Sequence, residues 1–311
     1  MTTVTAGPSG MDFENLKISD LLLGDPITQT ETRYVLKDGD WTYEFTGQFT
    51  YTAGEISDGT VTGWRETFKG EVTFDASGFS VPLATGVGWA ETNANETARS
   101  TILAGADNLI GSAAADRMYG YAGNDTIEGG AGRDYLRGHD GDDVIRGGAD
   151  FDDVHGNAGN DTVHGGLGDD WVVGGKDNDV QYGDEGWDIV YGNLGADTVS
   201  GGADSDWVRG GQDNDSVSGG AGDDWLAGDK GDDTISGGTG ADLFHTHGDA
   251  GIDRVLDFSR AEGDRVNVLP GTTYSTAQVG GDVVITMGGG GQMVLVGVQL
   301  SSLTGDWIFG A

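Results

Sequence analysis

One feature constrains this chain more than any other. From Gly111 to His245 it divides into fifteen consecutive nonamers with no insertion. Position 1 is Gly in all fifteen and position 6 is Asp in all fifteen. Position 8 is apolar in fourteen, from Met118, Ile127 and Leu136 to Phe244, with Gln181 the exception. A half-repeat, Gly105–Ile110, leads in. Such a fixed short period is the mark of a solenoid, in which each repeat buries its apolar face only against its neighbours.

The positions carry their own physics. Positions 1 to 6 follow G-G-x-G-x-D. Position 2 is Gly in eight repeats and position 4 in ten, with Asn, Asp or His in most of the others, such as Asn157, Asp184, His139 and Asp177. These residues best tolerate a positive φ, so the loop needs left-handed backbone at two places. Positions 7 to 9 predict a three-residue strand with its middle side chain inward. Two nonamers then make one coil of eighteen residues, and coils stack as parallel strands. The fold class expected is all-β: a parallel β-roll.

Charge bears on what the chain can bind. It has 52 acidic and 16 basic residues, a formal net charge of −36. The fifteen nonamers hold 27 Asp but only 2 Glu. A surface this acidic does not take up nucleic acid through phosphates. It suits cations. Columns of Asp carboxylates repel one another unless a metal lies between them, and calcium, with six to eight oxygen ligands, meets that need. Folding and metal binding are then one event. There is no cysteine, hence no disulfide, thiolate site or Cys nucleophile. No apolar run is long enough to span a membrane as a helix. The N-terminus, MTTVTAGPSGMDFENL, lacks the basic-then-apolar pattern of a cleavable secretory signal.

The stretches GYAGNDTIEGGAGRDYLRGHDGDDVIRGG and SGGAGDDWLAGDKGDDTISGGTGADLF resemble the RTX, or hemolysin-type, calcium-binding repeats. The resemblance implies calcium ions held between successive loops on one edge, with Asp side chains and the carbonyls of positions 1 and 3 as ligands. The implied ligands are Asp116, Asp125, Asp134, Asp143, Asp152, Asp161, Asp170, Asp179, Asp188, Asp197, Asp206, Asp215, Asp224, Asp233 and Asp242. Fifteen loops allow at most thirteen such gaps. Gly111–Asp116 departs from the pattern, with Ser112 and Ala114 where Gly is wanted. Residues 247–311 resemble the cap and uncleaved export signal of serralysin-type RTX proteins. That implies delivery by a type I secretion apparatus, with the chain unfolded in low cytosolic calcium and folded outside.

Residues 1–100 read differently. Trp41–Phe45 and Gln48–Tyr51 alternate with period 2. Val61–Phe68, Glu71–Phe74 and Gly78–Leu83 read as further strands, divided by turns at Asp38-Gly39, Ser57-Asp58-Gly59 and Ser77-Gly78. A small antiparallel β-domain is expected. Three domains follow: 1–100, a β-roll at 101–246, and a C-terminal β cap at 247–311.

Catalytic signatures are missing. The sequence has no H-E-x-x-H and no G-x-S-x-G. His245 and His247 share one strand face, and Glu44, Glu66 and Glu71 sit on N-terminal strands; all read as solvated side chains. Paired acids such as Asp142/Asp143 and Asp223/Asp224 recur too regularly to be a catalytic dyad. The chain is therefore read as a non-enzyme.

Outward positions differ between the two faces of the roll. One carries Tyr135, Trp171, Ile189, Trp207 and Trp225 at position 7, with Tyr191 at position 9. The other carries Thr126, Val144, Thr162, Val180, Thr198, Ser216 and Thr234 at position 7, with Ser200, Ser218 and Ser236 at position 9. An apolar stripe of this size marks a contact surface. It could dock the N-terminal domain, join subunits or stack sugars. The function expected is a secreted, calcium-folded structural protein that assembles with copies of itself into matrix, surface layer or filament. The alternatives are a polysaccharide-binding accessory module, or a small hydrolase with its site in the N-terminal domain.

Overall fold

The structure is a computed structural model. It describes residue 100, residues 103–310 and, as backbone only, the strands between Thr3 and Pro82. The chain forms two compact units, Met1–Val144 and Ile145–Ala311.

In the first unit the N-terminal strands form an antiparallel meander. Asp25–Thr30, Arg33–Asp38, Trp41–Thr52, Glu55–Phe68 and Glu71–Pro82 pair in sequence order. Three sequence expectations change here. Trp41–Phe45 and Gln48–Tyr51 are one strand, with a register shift at Thr46/Gly47. Ser57-Asp58-Gly59 and Ser77-Gly78 lie inside strands rather than at turns. Isolated glycines in this sheet mark bulges, as at Val61/Gly63, and a bulge re-aims a strand without ending it. Glu44, Glu66 and Glu71 have side chains outside the described residues.

The short strand Thr3–Ala6 joins two kinds of pairing. It runs antiparallel to Glu71–Pro82 and parallel to Asn108–Ile110. From there the solenoid pattern takes over. Asn108–Ile110 pairs in parallel with Thr126–Ala131, and Arg117–Ala122 with Tyr135–Asp140.

The second unit is built from two parallel ladders. One holds Thr162–Leu167, Val180–Glu185, Thr198–Ala203, Ser216–Ala221 and Thr234–Thr239. The other holds Asp153–Ala158, Trp171–Lys176, Ile189–Leu194, Trp207–Gln212 and Trp225–Lys230. Every partner is eighteen residues on, as in Val190↔Val208 and Val208↔Leu226, so two nonamers do make one coil. The fold is an all-β parallel β-solenoid.

The strands are longer than the sequence suggested. Each covers six residues, positions 7 to 9 and then 1 to 3 of the next loop. The alternation explains why. Position 8 and the following Gly both point inward, giving the burial pattern seen in Thr162–Leu167. The core is therefore one apolar column per ladder, such as Val172, Val190, Val208 and Leu226, all fully buried.

Parallel pairing runs on after the last nonamer. Leu243–Thr246 pairs with Arg265–Val268, and that strand with Ile308–Gly310. Thr234–Thr239 pairs with Ile252–Val255, and that strand with Gln292–Leu295. A hairpin, Asp282–Met287 with Gln292–Leu295, turns through the four glycines Gly288–Gly291, and an unanticipated strand, Tyr274–Val279, lies on its outer side. Larger side chains close this end. Phe244, Phe258 and Trp307 contact one another in series at 5.8 and 6.5 Å between ring centroids.

Candidate metal centre

The left-handed positions fall where the sequence put them. Asn157, Asp184, Asn193 and Asp229 at position 2 have φ between 72° and 85°. Asp177, Asp204 and Asp213 at position 4 have φ of 73–74°. Position 1 is Gly for a different reason: space. A Cβ on Gly165 would lie 2.6 Å from Asp170 Oδ2 and 2.6 Å from the carbonyl oxygen of Gly183. So at Gly165, and likewise at Gly183, Gly192 and Gly219, the position-6 carboxylate and the position-1 carbonyl one coil on converge over the first glycine, and no side chain fits between them.

The position-6 Asp of a regular loop has two jobs, one of which the sequence did not reveal. Its Oδ1 accepts the backbone N–H of the equivalent Asp one coil earlier. In the second unit Asp170→Asp188, Asp188→Asp206 and Asp206→Asp224 are 2.8–2.9 Å, as are Asp179→Asp197, Asp197→Asp215 and Asp215→Asp233 on the other edge. In the first unit Asp107→Asp125 and Asp116→Asp134 are 2.8 and 2.7 Å. Asp107, from the half-repeat, thus joins the column. Its Asp sits nine residues before Asp116, which was the signal available.

The second oxygen is the test of the metal. In Asp125, Asp170, Asp179, Asp188, Asp197, Asp206, Asp215, Asp224 and Asp233 the Oδ2 atom is buried and has no hydrogen-bond partner. Burial pushes these carboxyls up. Asp125, Asp179, Asp206 and Asp215 are raised to about 8, and Asp170 to about 7. The N–H donated to Oδ1 pulls the other way but is outweighed, and neighbouring carboxylates add to the rise. A buried, unpaired carboxylate is costly unless a proton or cation neutralises it. Among the described residues no three His, Cys, Asp or Glu side chains converge. The donors on offer are carboxylate oxygens and backbone carbonyls, a hard all-oxygen set that fits calcium and not zinc.

Family comparison agrees with this geometry. The RTX calcium-binding nonapeptide repeat (4 copies) matches six overlapping stretches: residues 103–136, 119–154, 146–181, 182–217, 209–244 and 218–255. This chain is an RTX-repeat protein. Its repeats are calcium-binding repeats, several ions to a chain, and RTX-repeat proteins are typically secreted. No curated protein matches the chain. Among solved structures it is similar to the extracellular lipase LipA of Serratia marcescens, at 17% identity over 67% of this chain and 40% of that one, with a TM-score of 0.25. The chain thus spans less than half of that structure's length. Among the described residues no helix is long and apolar enough to cross a membrane.

Two loops of the RTX-repeat protein complete themselves without a metal. At Gly111–Asp116 the Ser112 N–H and hydroxyl donate to Asp116 Oδ2 at 2.7 and 3.0 Å. At Ser259–Asp264 the Ser259 N–H donates to Asp264 Oδ2, again at 2.7 Å. Sequence had marked the first of these loops as irregular. The second lies beyond the nine-residue count and was missed.

On the aromatic face, Trp171, Ile189, Trp207 and Trp225 stand in one register column of the second unit, with Tyr191 beside them at position 9. Tyr135 belongs to the first unit, where the Arg137 guanidinium lies 3.6 Å from its ring centroid. Trp171 is 41% exposed and Trp207 39%. The stripe is less open than the outward positions suggested, since Val173 and Ala227 at position 9 are buried. His245 is not a solvated residue either. It stacks on Trp225 at 5.1 Å, and burial lowers its pKa. His155 and His164 lie on opposite ladders, as their nine-residue spacing required.

Proposed function

We propose that this chain is a secreted structural protein whose Asp columns bind calcium outside the cell, so that calcium folds it and then drives its self-assembly into an extracellular matrix, surface layer or filament. The observation that carries the calcium reading is the row of buried Oδ2 atoms without partners, from Asp170 to Asp224 on one edge and Asp179 to Asp233 on the other. Each proposed ion takes Oδ2 from position 6 and carbonyl oxygens from neighbouring loops. When bound, calcium supplies positive charge that neutralises these carboxylates. In cytosol, where calcium is low, the repulsion keeps the chain open for a type I export apparatus. The self-assembly reading is supported by the exposed Trp171 and Trp207 on one ladder.

Calcium titration into metal-free protein, followed by light scattering and circular dichroism and reversed with chelator, tests both halves. Growth from an expanded monomer into large particles is expected. Compaction to a stable monomer would leave calcium folding standing and remove assembly. No change of structure with calcium would remove both.

A polysaccharide-binding reading is favoured by one further observation. Beside the tryptophans lies a cleft of about 330 Å³ lined by Tyr191, Asn193, Arg209, Gln212, Asp229, Lys230 and His247. Aromatic rings next to amides and an Arg209–Asp229 ion pair, 2.7 Å long, suit a sugar's faces and hydroxyls. A glycan-array signal that disappears in Trp207→Ser/Trp225→Ser would support it.

A further inference from the structure

Charge is spread unevenly along this chain. Residues 266–305 hold a single charged side chain, Asp282, in a chain with 52 acidic and 16 basic residues. That carboxylate is engaged locally, its Oδ1 accepting the Gly297 N–H at 2.8 Å. The outermost strand of this neutral stretch is Tyr274–Val279. Among the described residues it pairs with one strand only, Asp282–Met287. Five of its six residues are exposed, so both of its faces meet water as well as its outer edge. Val279 is 57% exposed and Tyr274 36%.

The phase of the ladder decides which backbone groups face out. Gly288 N–H donates to the Thr273 carbonyl at 2.7 Å, so these two form a bonded pair next to Tyr274↔Met287. Bonded and non-bonded pairs alternate along an antiparallel ladder. Ser275, Ala277 and Val279 therefore bond to Asp282–Met287, whereas Tyr274, Thr276 and Gln278 turn their N–H and C=O outward. Met287 agrees, since its own N–H donates the other way, to the Gly291 carbonyl at 2.9 Å. Such an outward row is a template for another strand, and proteins ordinarily guard it with lysine, other charges or proline. None of these stands between Gly271 and Gly281.

The charge pattern selects the occupant. At a net charge of −36, two copies of this chain repel wherever both present acid. A twofold contact sets equal surfaces against each other, so like charges would meet across it. The Tyr274–Val279 edge is free of them. A basic partner, in contrast, is drawn to the Asp-rich loops and not to an edge without charge.

We propose that Tyr274–Val279 pairs antiparallel with the same strand of a second copy, Thr276 opposite Thr276 and Tyr274 opposite Gln278. Alone this contact closes a dimer. With the tryptophan column it gives each chain two different contacts, which allow growth beyond a dimer. The proposal rests on the self-assembly reading and adds to it a surface on the C-terminal hairpin.

Cysteine cross-linking tests the pairing, because the chain has no cysteine of its own. Residues opposite each other in a bonded antiparallel pair lie about 5.5 Å apart between Cα atoms, within disulfide reach. Calcium-loaded Thr276→Cys is expected to give a covalent dimer under mild oxidation. Thr198→Cys, exposed on the roll, should give at least tenfold less. Thr276→Pro deletes an outward N–H and leaves the bonds to Asp282–Met287 in place. Its particles should be at least threefold smaller in mass than those of the wild type by light scattering, with equal circular dichroism. A Thr276→Cys chain that stays monomeric, or Thr276→Pro particles of wild-type size, would overturn the pairing and leave the edge to a different partner. Growth of the wild type in either case would keep the self-assembly reading. Thr276→Cys dimers beside a wild type that forms no large particles would instead keep the pairing and remove the larger assembly. Should Thr276→Pro not fold, Thr276→Lys keeps the backbone donor and sets like charges opposite each other across the twofold. It is expected to reduce particle mass at least threefold as well, and an unchanged mass would overturn the pairing.

Discussion

The backbone N–H of Asp188 donates to Oδ1 of Asp206 at 2.9 Å, while the other carboxylate oxygen of Asp206 is buried without a partner. One side chain thus serves the ladder with one atom and waits for a cation with the other. The two roles separate chemically, because an amide keeps the Oδ1 acceptor and removes the charge. Asp206→Asn should therefore leave the metal-free chain at least as ordered as the wild type and raise the calcium needed for folding several-fold. Asp206→Ala should lose the ladder bond as well and destabilise the calcium-loaded form by about 1–3 kcal/mol more. Urea unfolding at saturating calcium, with a calcium titration by circular dichroism, distinguishes the two. Equal behaviour of Asn and Ala would show that Oδ1 has no structural share.

Protons compete for the same oxygens. Burial, against the partial offset of the donated N–H, raises Asp179, Asp206 and Asp215 to about 8 from an ordinary value of 3.8. In the metal-free fold these groups bind protons that the unfolded chain releases between those values. The folded form is then favoured below about pH 4, and that stability is lost as pH rises through about 8. In chelator, the chain should be more ordered at pH 4.5 than at pH 8. With calcium the trend reverses, since the ion binds only the deprotonated carboxylates, so the calcium midpoint should fall from pH 5 to pH 8. Far-ultraviolet dichroism at both pH values, with and without chelator, reads this. Greater order at pH 8 in chelator would contradict the burial of these carboxylates.

Much of this was legible in the sequence because a strict period transmits register. Nine residues and an invariant Asp are enough to place Asp188 under Asp206 and to assign φ > 0 to Asp184 and Asp177. What the period could not show was which atom does what. The N–H to Oδ1 ladder depends on carboxylate orientation, and the role of Gly165 depends on how closely Gly183 approaches. Legibility also ended where the count did. A two-residue insertion hid the loop before Asp253, although its backbone bonds repeat those of the nonamers. In the N-terminal strands, Ser57-Asp58-Gly59 looked like a turn because glycine marks turns and bulges alike. Period-2 patterning alone does not separate the two.

Gln181 is the one polar residue at position 8. It is fully buried between Val163 and Val199 in its ladder, and neither its amide nitrogen nor its oxygen finds a partner. An unsatisfied buried amide costs about 1–3 kcal/mol. Valine is the residue at that position in both adjoining coils. Gln181→Val should stabilise the calcium-loaded protein by about that much, seen as a higher urea midpoint with an unchanged slope. A loss of stability would mean that the amide is satisfied in solution, for instance by a water.

The tryptophan column makes a prediction independent of the metal. Trp207 meets Trp225 edge to face at 5.0 Å between ring centroids, and Trp225 stacks in turn on His245. None of these rings belongs to a position-6 carboxylate or to a carbonyl of the loops. Replacing both tryptophans therefore removes apolar contact area and leaves the calcium donors in place. Trp207→Ser/Trp225→Ser should bind calcium with a midpoint within about twofold of the wild type, since it alters no oxygen donor. The same variant should stay small by light scattering under conditions where the wild type grows, because the Trp207–Trp225 part of the apolar stripe is lost and Trp171 is left without it. Assembly at the wild-type rate would remove this face from the interface. A calcium midpoint displaced along with assembly would mean instead that the aromatic column supports the roll itself, through packing that the loops depend on.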